Sequence, residues 1–246
     1  MGTKPVDDYC HEIEAYLCRK NDGHLIRVVG PSFELVSGWA ARGLPLKIAY
    51  RGIDRYFERY YRKGPRRRPV RIDFCEADVL DAFDEWRRAV GLVSHGGLDP
   101  EGEPARSALR EDAERDRRGP SLPAHLQRVV LKLTAARASA VVGQPCDDVI
   151  DRVARELDTA RADARGVRGE ARRALLDRLS VLDAELLHTA RKALDEAARV
   201  ALTREADDEL SAFRDRMAPD AFVRAREAAV DRLVRERFGL PIVAFR

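Results

Sequence analysis

The sequence predicts an all-α protein: a small N-terminal helical domain of helix-turn-helix type, followed by a C-terminal helical bundle with one long helix. Three observations carry this. Apolar residues recur at three- and four-residue spacing through most of the chain, Gly and Pro punctuate the gaps, and Ala, Leu, Arg, Asp and Glu dominate beyond residue 124. Only HLIRVV, residues 24–29, is too short for a helix between Gly23 and Gly30-Pro31; it reads as a strand or an extended segment.

The first helix is expected from Val6 to Lys20, where Val6, Cys10, Ile13 and Leu17 recur at helical spacing and Asn21, Asp22 and Gly23 end it. Ser32 is the expected N-cap of a second helix that buries Phe33, Val36 and Trp39 and stops at Gly43. A turn of about three residues leads to Pro45, which suits a first helical turn because its missing N–H has no intrahelical partner there. The next helix is expected from Pro45 to Lys63, with Ala49, Ile53, Tyr56 and Tyr60 on its apolar face. Lys47, Arg51, Arg55, Arg59 and Arg62 form a stripe about 22 Å long on another face. GPRRRPVR, residues 64–71, frames three arginines with prolines and cannot be helical.

A further helix is expected from Cys75 to Val90, with Val79, Leu80, Phe83 and Trp86 inward, five acids outward and Gly91 as its stop. The domain therefore spans residues 1–91. Residues 92–123, rich in Gly, Pro and charge, read as a linker. The bundle, residues 124–246, is expected to hold helices at 124–142, 146–165, 169–217 and 220–238. In the longest, Leu175, Leu179, Leu182 and Leu186 form a heptad seam that serves an intramolecular core, a protein partner or self-association.

Charge is nearly balanced overall, with 45 basic and 42 acidic residues, but not locally. Between Ala40 and Ile72 stand 11 Lys or Arg against only Asp54 and Glu58, while the rest of the chain has 34 basic and 40 acidic residues. Such clustering costs self-repulsion unless an anion meets it. A tight turn before a cationic helix fits the loose description of a helix-turn-helix. On that reading Lys47, Tyr50 and Arg51 reach base edges or phosphates, and Arg55, Arg59, Arg62, Arg66, Arg67 and Arg68 contact phosphates. Tyr61 also lies near the basic face, whereas Tyr56 and Tyr60 are expected in the core.

Other chemistry has no motif. The four cysteines lack a C-x-x-C pair and are expected to be reduced; His11 lacks the second histidine of a zinc motif; phosphate-binding loops and nucleophile elbows are missing. No metal or cofactor is expected. No apolar run approaches about 18 residues and the N-terminus has no leader pattern, so a cytoplasmic protein without membrane association is expected.

Val36-Ser37-Gly38-Trp39, Gly43, Ile48 and Ile53, with Val79, Phe83 and Trp86 further on, resemble the pattern of the C-terminal domain of DnaD-like bacterial primosome proteins. The resemblance covers Leu35 to Trp86; Asp78 stands where that pattern has an aromatic, and GPRRRPVR lengthens one connection. It implies a helical module that binds DNA through this region and assists replication initiation. The expectation is thus a non-enzymatic DNA-binding protein, a replication accessory factor or a regulator. The alternative is a helical scaffold or adaptor whose basic segment docks on an acidic protein.

Overall fold

The computed structural model describes residues 6–62, 69–92, 121–139, 144–164 and 167–245. Among these the fold is all-α, with nine α-helices, two short 3-10 helices and no strand. The chain divides into two compact units, Met1–His95 with Glu205–Ala229, and Gly96–Arg204 with Val230–Arg246.

The first unit begins with α1 (Val6–Lys20), which buries Tyr9, Cys10, Ile13 and Leu17 and has the bounds its periodicity predicts. Asp22 and Gly23 take positive φ of 56° and 81°, and the Gly23 N–H returns to the Cys18 carbonyl to close the helix. Residues 24–29 form an irregular segment with no strand ladder, held by the Ile26 N–H on Cys18 Sγ and the Val28 N–H on Glu14 Oε2. The next helix, α2 (Pro31–Ala41), starts one residue before the expected cap. Gly30 is its N-cap, and Ser32, inside the helix, donates instead to Asp73 Oδ1 at 2.8 Å. Val36 and Trp39 are buried as expected, while Phe33 is 37% exposed and its neighbour Ser32 is buried.

Pro45 is the N-cap of α3 (Leu46–Tyr61), one step outside the expected first turn. A 3-10 helix (Ile72–Cys75) leads into α4 (Glu76–Ala89), where one helix from Cys75 was expected. The core face of α3 is Ile48, Ala49, Gly52, Ile53 and Phe57. Phe57 takes the place expected of Tyr56 and Tyr60, because a helix advances about 100° per residue and the close packing at Gly52 sets the facing arc. A Cβ on Gly52 would lie 2.4 Å from Cα of Val79 in α4, so the two backbones approach closer than any other residue allows.

Residues Glu205–Ala229 complete this unit. The Trp86 indole N–H donates to buried Glu209 at 3.0 Å, and Phe213 lies 5.7 Å from the Trp86 ring. Gly43, at φ 76°, faces Ala212, whose Cβ would stand 2.8 Å from an added Cβ. The expected single bundle over 124–246 is therefore corrected: part of it belongs with the N-terminal core.

The second unit contains α5 (Leu122–Ala138), α6 (Gln144–Asp163) and α7 (Gly169–Lys192); α8 (Glu196–Leu210) and α9 (Pro219–Phe238) each contribute to both units. The long helix expected over 169–217 is broken. Asp195 accepts the Ala198 N–H at 2.6 Å as a side-chain cap, so α8 starts afresh after buried Leu194. The Leu179, Leu182 and Leu186 part of the seam is buried within the chain. Asp183 accepts from Arg235 and from the Val243 N–H, both at 2.7 Å, and fastens the tail after Gly239.

Candidate nucleic-acid interface

Most of the cationic stripe on α3 meets carboxylates of its own unit. Lys47 pairs with Glu205. Arg55 makes two parallel bonds to Glu85 of α4, Nη1 to Oε1 at 2.8 Å and Nη2 to Oε2. Arg59 does the same with Asp78, Nη1 to Oδ1 at 3.0 Å and Nη2 to Oδ2 at 2.6 Å. Such fork-to-fork pairing fixes both side chains more tightly than a single contact. The electrostatics agree: the Arg55 hydrogen bond holds the Glu85 carboxyl below its ordinary pKa, and Arg51 adds its charge nearby. Glu85 in turn raises the Arg55 pKa.

Tyr50 is also committed. Its ring stacks on Tyr16 with centroids 4.0 Å apart and planes at 13°, and its hydroxyl points to Glu12. Burial, then the Glu12 charge, push its phenol up to about 12. Tyr16 donates to Asp54, which also pairs with Lys20 at 2.7 Å, so one of the two acids in the basic segment serves α1. The start of α3 thus holds Lys47 and Tyr50 against neighbouring helices.

The end of α3 differs. Arg62 is its C-cap, exposed, with no carboxylate partner among the described residues. Its charge suits the negative end of the helix dipole. Arg66, Arg67 and Arg68 lie outside the described residues. Where description resumes, Arg71 is 68% exposed and pairs with Asp73 at 3.1 Å.

The chain is fixed on that side by buried Asn21 at the end of α1. Its amide nitrogen donates to the Leu17 and Val70 carbonyls at 2.9 and 3.0 Å, and its oxygen accepts the Val70 N–H at 2.7 Å. A side-chain amide that copies backbone pairing leaves none of these buried groups unsatisfied.

An aromatic row accompanies these cations. Phe74, in the 3-10 helix, lies 6.4 Å from Tyr56 with planes at 13°; Tyr56 lies 5.8 Å from Tyr60, and Tyr60 lies 5.7 Å from Tyr61. Tyr61 and Phe74 are 47% and 59% exposed, whereas Phe57 beneath is only 4% exposed. The Arg59 guanidinium sits 5.6 Å from the Tyr56 ring centre while bonded to Asp78. Phe74 is not among the expected site residues; the available signal is the pattern IDFC, in which a 3-10 turn that buries Ile72 and Cys75 leaves the ring of Phe74 exposed.

Among the described residues no group of three His, Cys, Asp or Glu is placed to hold a metal, and no helix is long and apolar enough to cross a membrane. The cysteines are free thiols, and burial pushes Cys75 up to about 12. Comparison of the chain with protein-family models, curated proteins and solved structures finds no match. Val36, Trp39, Ile48, Ile53, Val79, Phe83 and Trp86 are buried in the first unit.

Proposed function

We propose that this chain is a non-enzymatic DNA-binding protein whose phosphate contacts lie at the end of α3 and in the segment after it. The supporting observation is the contrast within the basic segment. Residues 60–71, YYRKGPRRRPVR, contain six cations and no acid, and Arg62 stands exposed at their head without a carboxylate partner among the described residues. Lys47, Arg55 and Arg59 are paired within the unit, so Glu205, Glu85 and Asp78 already neutralise their charge. The role of these three is to hold α3 in place, and Arg62, Arg66, Arg67, Arg68 and Arg71 supply the contacts; Arg71 makes a single ion pair with Asp73 at 3.1 Å and stays 68% exposed, unlike the two-bond pairs of Arg55 and Arg59.

The alternative, in which the basic segment docks on an acidic protein, has less support: α4 and Glu205 already provide carboxylates of the kind that reading asks of a partner.

The test is fluorescence anisotropy of a labelled duplex over a salt series. Five phosphate contacts give a slope of log K against log salt of about −4.5. Replacing Arg66, Arg67 and Arg68 with Ala should weaken binding to all sequences alike and flatten the slope by about 3. An unchanged slope in that triple variant, or absence of binding at low salt, overturns the reading.

A further inference from the structure

We propose that the protein prefers single-stranded nucleic acid, and that the row Phe74, Tyr56, Tyr60 and Tyr61 is the platform on which its unpaired bases stack. This rests on the nucleic-acid reading above and adds the form of the ligand.

Position is the first argument. The row runs from the 3-10 helix to the last turn of α3, with consecutive ring centres 5.7–6.4 Å apart, and in the chain Arg62 directly follows Tyr61 while Arg71 precedes Phe74 by three residues. Aromatic rings next to a cationic track are the two components of sequence-tolerant single-strand binding, one for bases and one for phosphates.

Exposure is the second. A ring cluster serving the core alone would bury its ends as Phe57 is buried, at 4% exposure. Here both ends of the row are the exposed members, Tyr61 at 47% and Phe74 at 59%. Apolar surface left beside concentrated charge marks a contact surface rather than a packing defect.

Support is the third. Tyr61 lies 5.9 Å from the buried Phe57 ring, and the turn bearing Phe74 is held by the Ser32 bond to Asp73 and by the Asn21 clamp on Val70. The rings are therefore anchored, and stacking a base on them costs little further ordering. Four carboxylates stand near these residues in the chain or through Arg59: Glu58 and Glu76 are exposed, Asp73 is taken up by Arg71 and Ser32, and Asp78 by Arg59.

A duplex keeps its bases stacked and offers only phosphates to this surface, so the rings contribute nothing to it. A single strand, DNA or RNA, offers both.

The test measures anisotropy with labelled oligothymidylate, oligouridylate and a mixed-sequence duplex at one salt concentration, using the full chain, Phe74→Ala and Phe74→Trp. Single strands should bind more tightly than duplex. Phe74→Ala, at an exposed position, should lose about tenfold on single strands and nothing on duplex. In Phe74→Trp the new indole should be quenched by single strands, against a constant background from Trp39 and Trp86, which are 0% and 1% exposed. Equal binding of all three ligands, with Phe74→Ala unchanged, overturns the stacking platform and leaves the phosphate-binding reading standing. Absence of binding to any of the three overturns both. Tight binding to oligouridylate but not oligothymidylate keeps the platform and assigns the ligand to RNA.

Discussion

The two halves of the basic segment are both rich in Arg and Tyr, and their surroundings differ. From Lys47 to Arg59 the cations meet Glu205, Glu85 and Asp78, and Tyr50 is stacked against α1. From Tyr60 to Arg71 there is no acid in the sequence, Arg62 has no carboxylate partner among the described residues, Arg71 makes one ion pair with Asp73 just beyond, and Tyr61 stands exposed. Clustered charge in a sequence is therefore not yet a binding surface. What matters is how much of it the fold has left over.

The largest expected effect comes from separating α3 from α4. Gly52→Ala forces Val79 away and should destabilise the first unit by about 3 kcal/mol or more, read as a lower denaturant midpoint. It should also release Arg55 and Arg59, erasing the difference between the two halves. Next, Asn21→Ala removes the clamp on Val70 and leaves buried backbone groups unsatisfied, at a cost of about 2 kcal/mol in chemical denaturation.

Asp78→Ala sharpens the comparison directly. Freed of its carboxylate, Arg59 should join the phosphate-binding set and steepen the salt slope by about 1, while stability falls by about 1–2 kcal/mol. If the slope stays the same, pairing is not what withholds Arg59 from the ligand. Arg62→Ala should flatten the slope by about 1 with stability unchanged, whereas Arg55→Ala should leave the slope alone.

The smallest effect is that of pH on the Arg55–Glu85 pair. The folded-state pKa of Glu85 lies below its ordinary value of 4.5, so the pair's stabilisation is complete above that pH and is lost as pH falls through the lower folded value. Both groups are about half-exposed, which limits the loss to below about 1 kcal/mol. Denaturant midpoints of the chain and of Glu85→Gln should converge in acid.

Helix positions were legible wherever periodicity and stops agreed. The bounds of α1 follow from Val6, Cys10, Ile13 and Leu17 and from the turn at Asn21–Gly23. Tertiary contacts were less so. Nothing local shows that Glu205 meets Lys47, 158 residues earlier in the chain, or that Phe57 rather than Tyr60 faces α4. The cap at Asp195 lies nine residues beyond Leu186, where the leucine spacing has already stopped. The opposite signs of α3 and α4 were visible, yet only their approach at Gly52 turns that opposition into bidentate pairs.

The seat of Glu209 against Trp86 bears on how the protein is made. The N-terminal helices leave the ribosome long before Glu205–Ala229 exists, and at ordinary elongation rates the delay is about 10 s. Throughout it the indole N–H of Trp86 and the surface at Gly43 wait for partners that have not been synthesised. A nascent chain in that state exposes what the finished protein buries, which makes it a client for chaperones that bind apolar segments. It also means that a gene fragment cut near residue 92 would yield an incomplete core rather than a minimal domain.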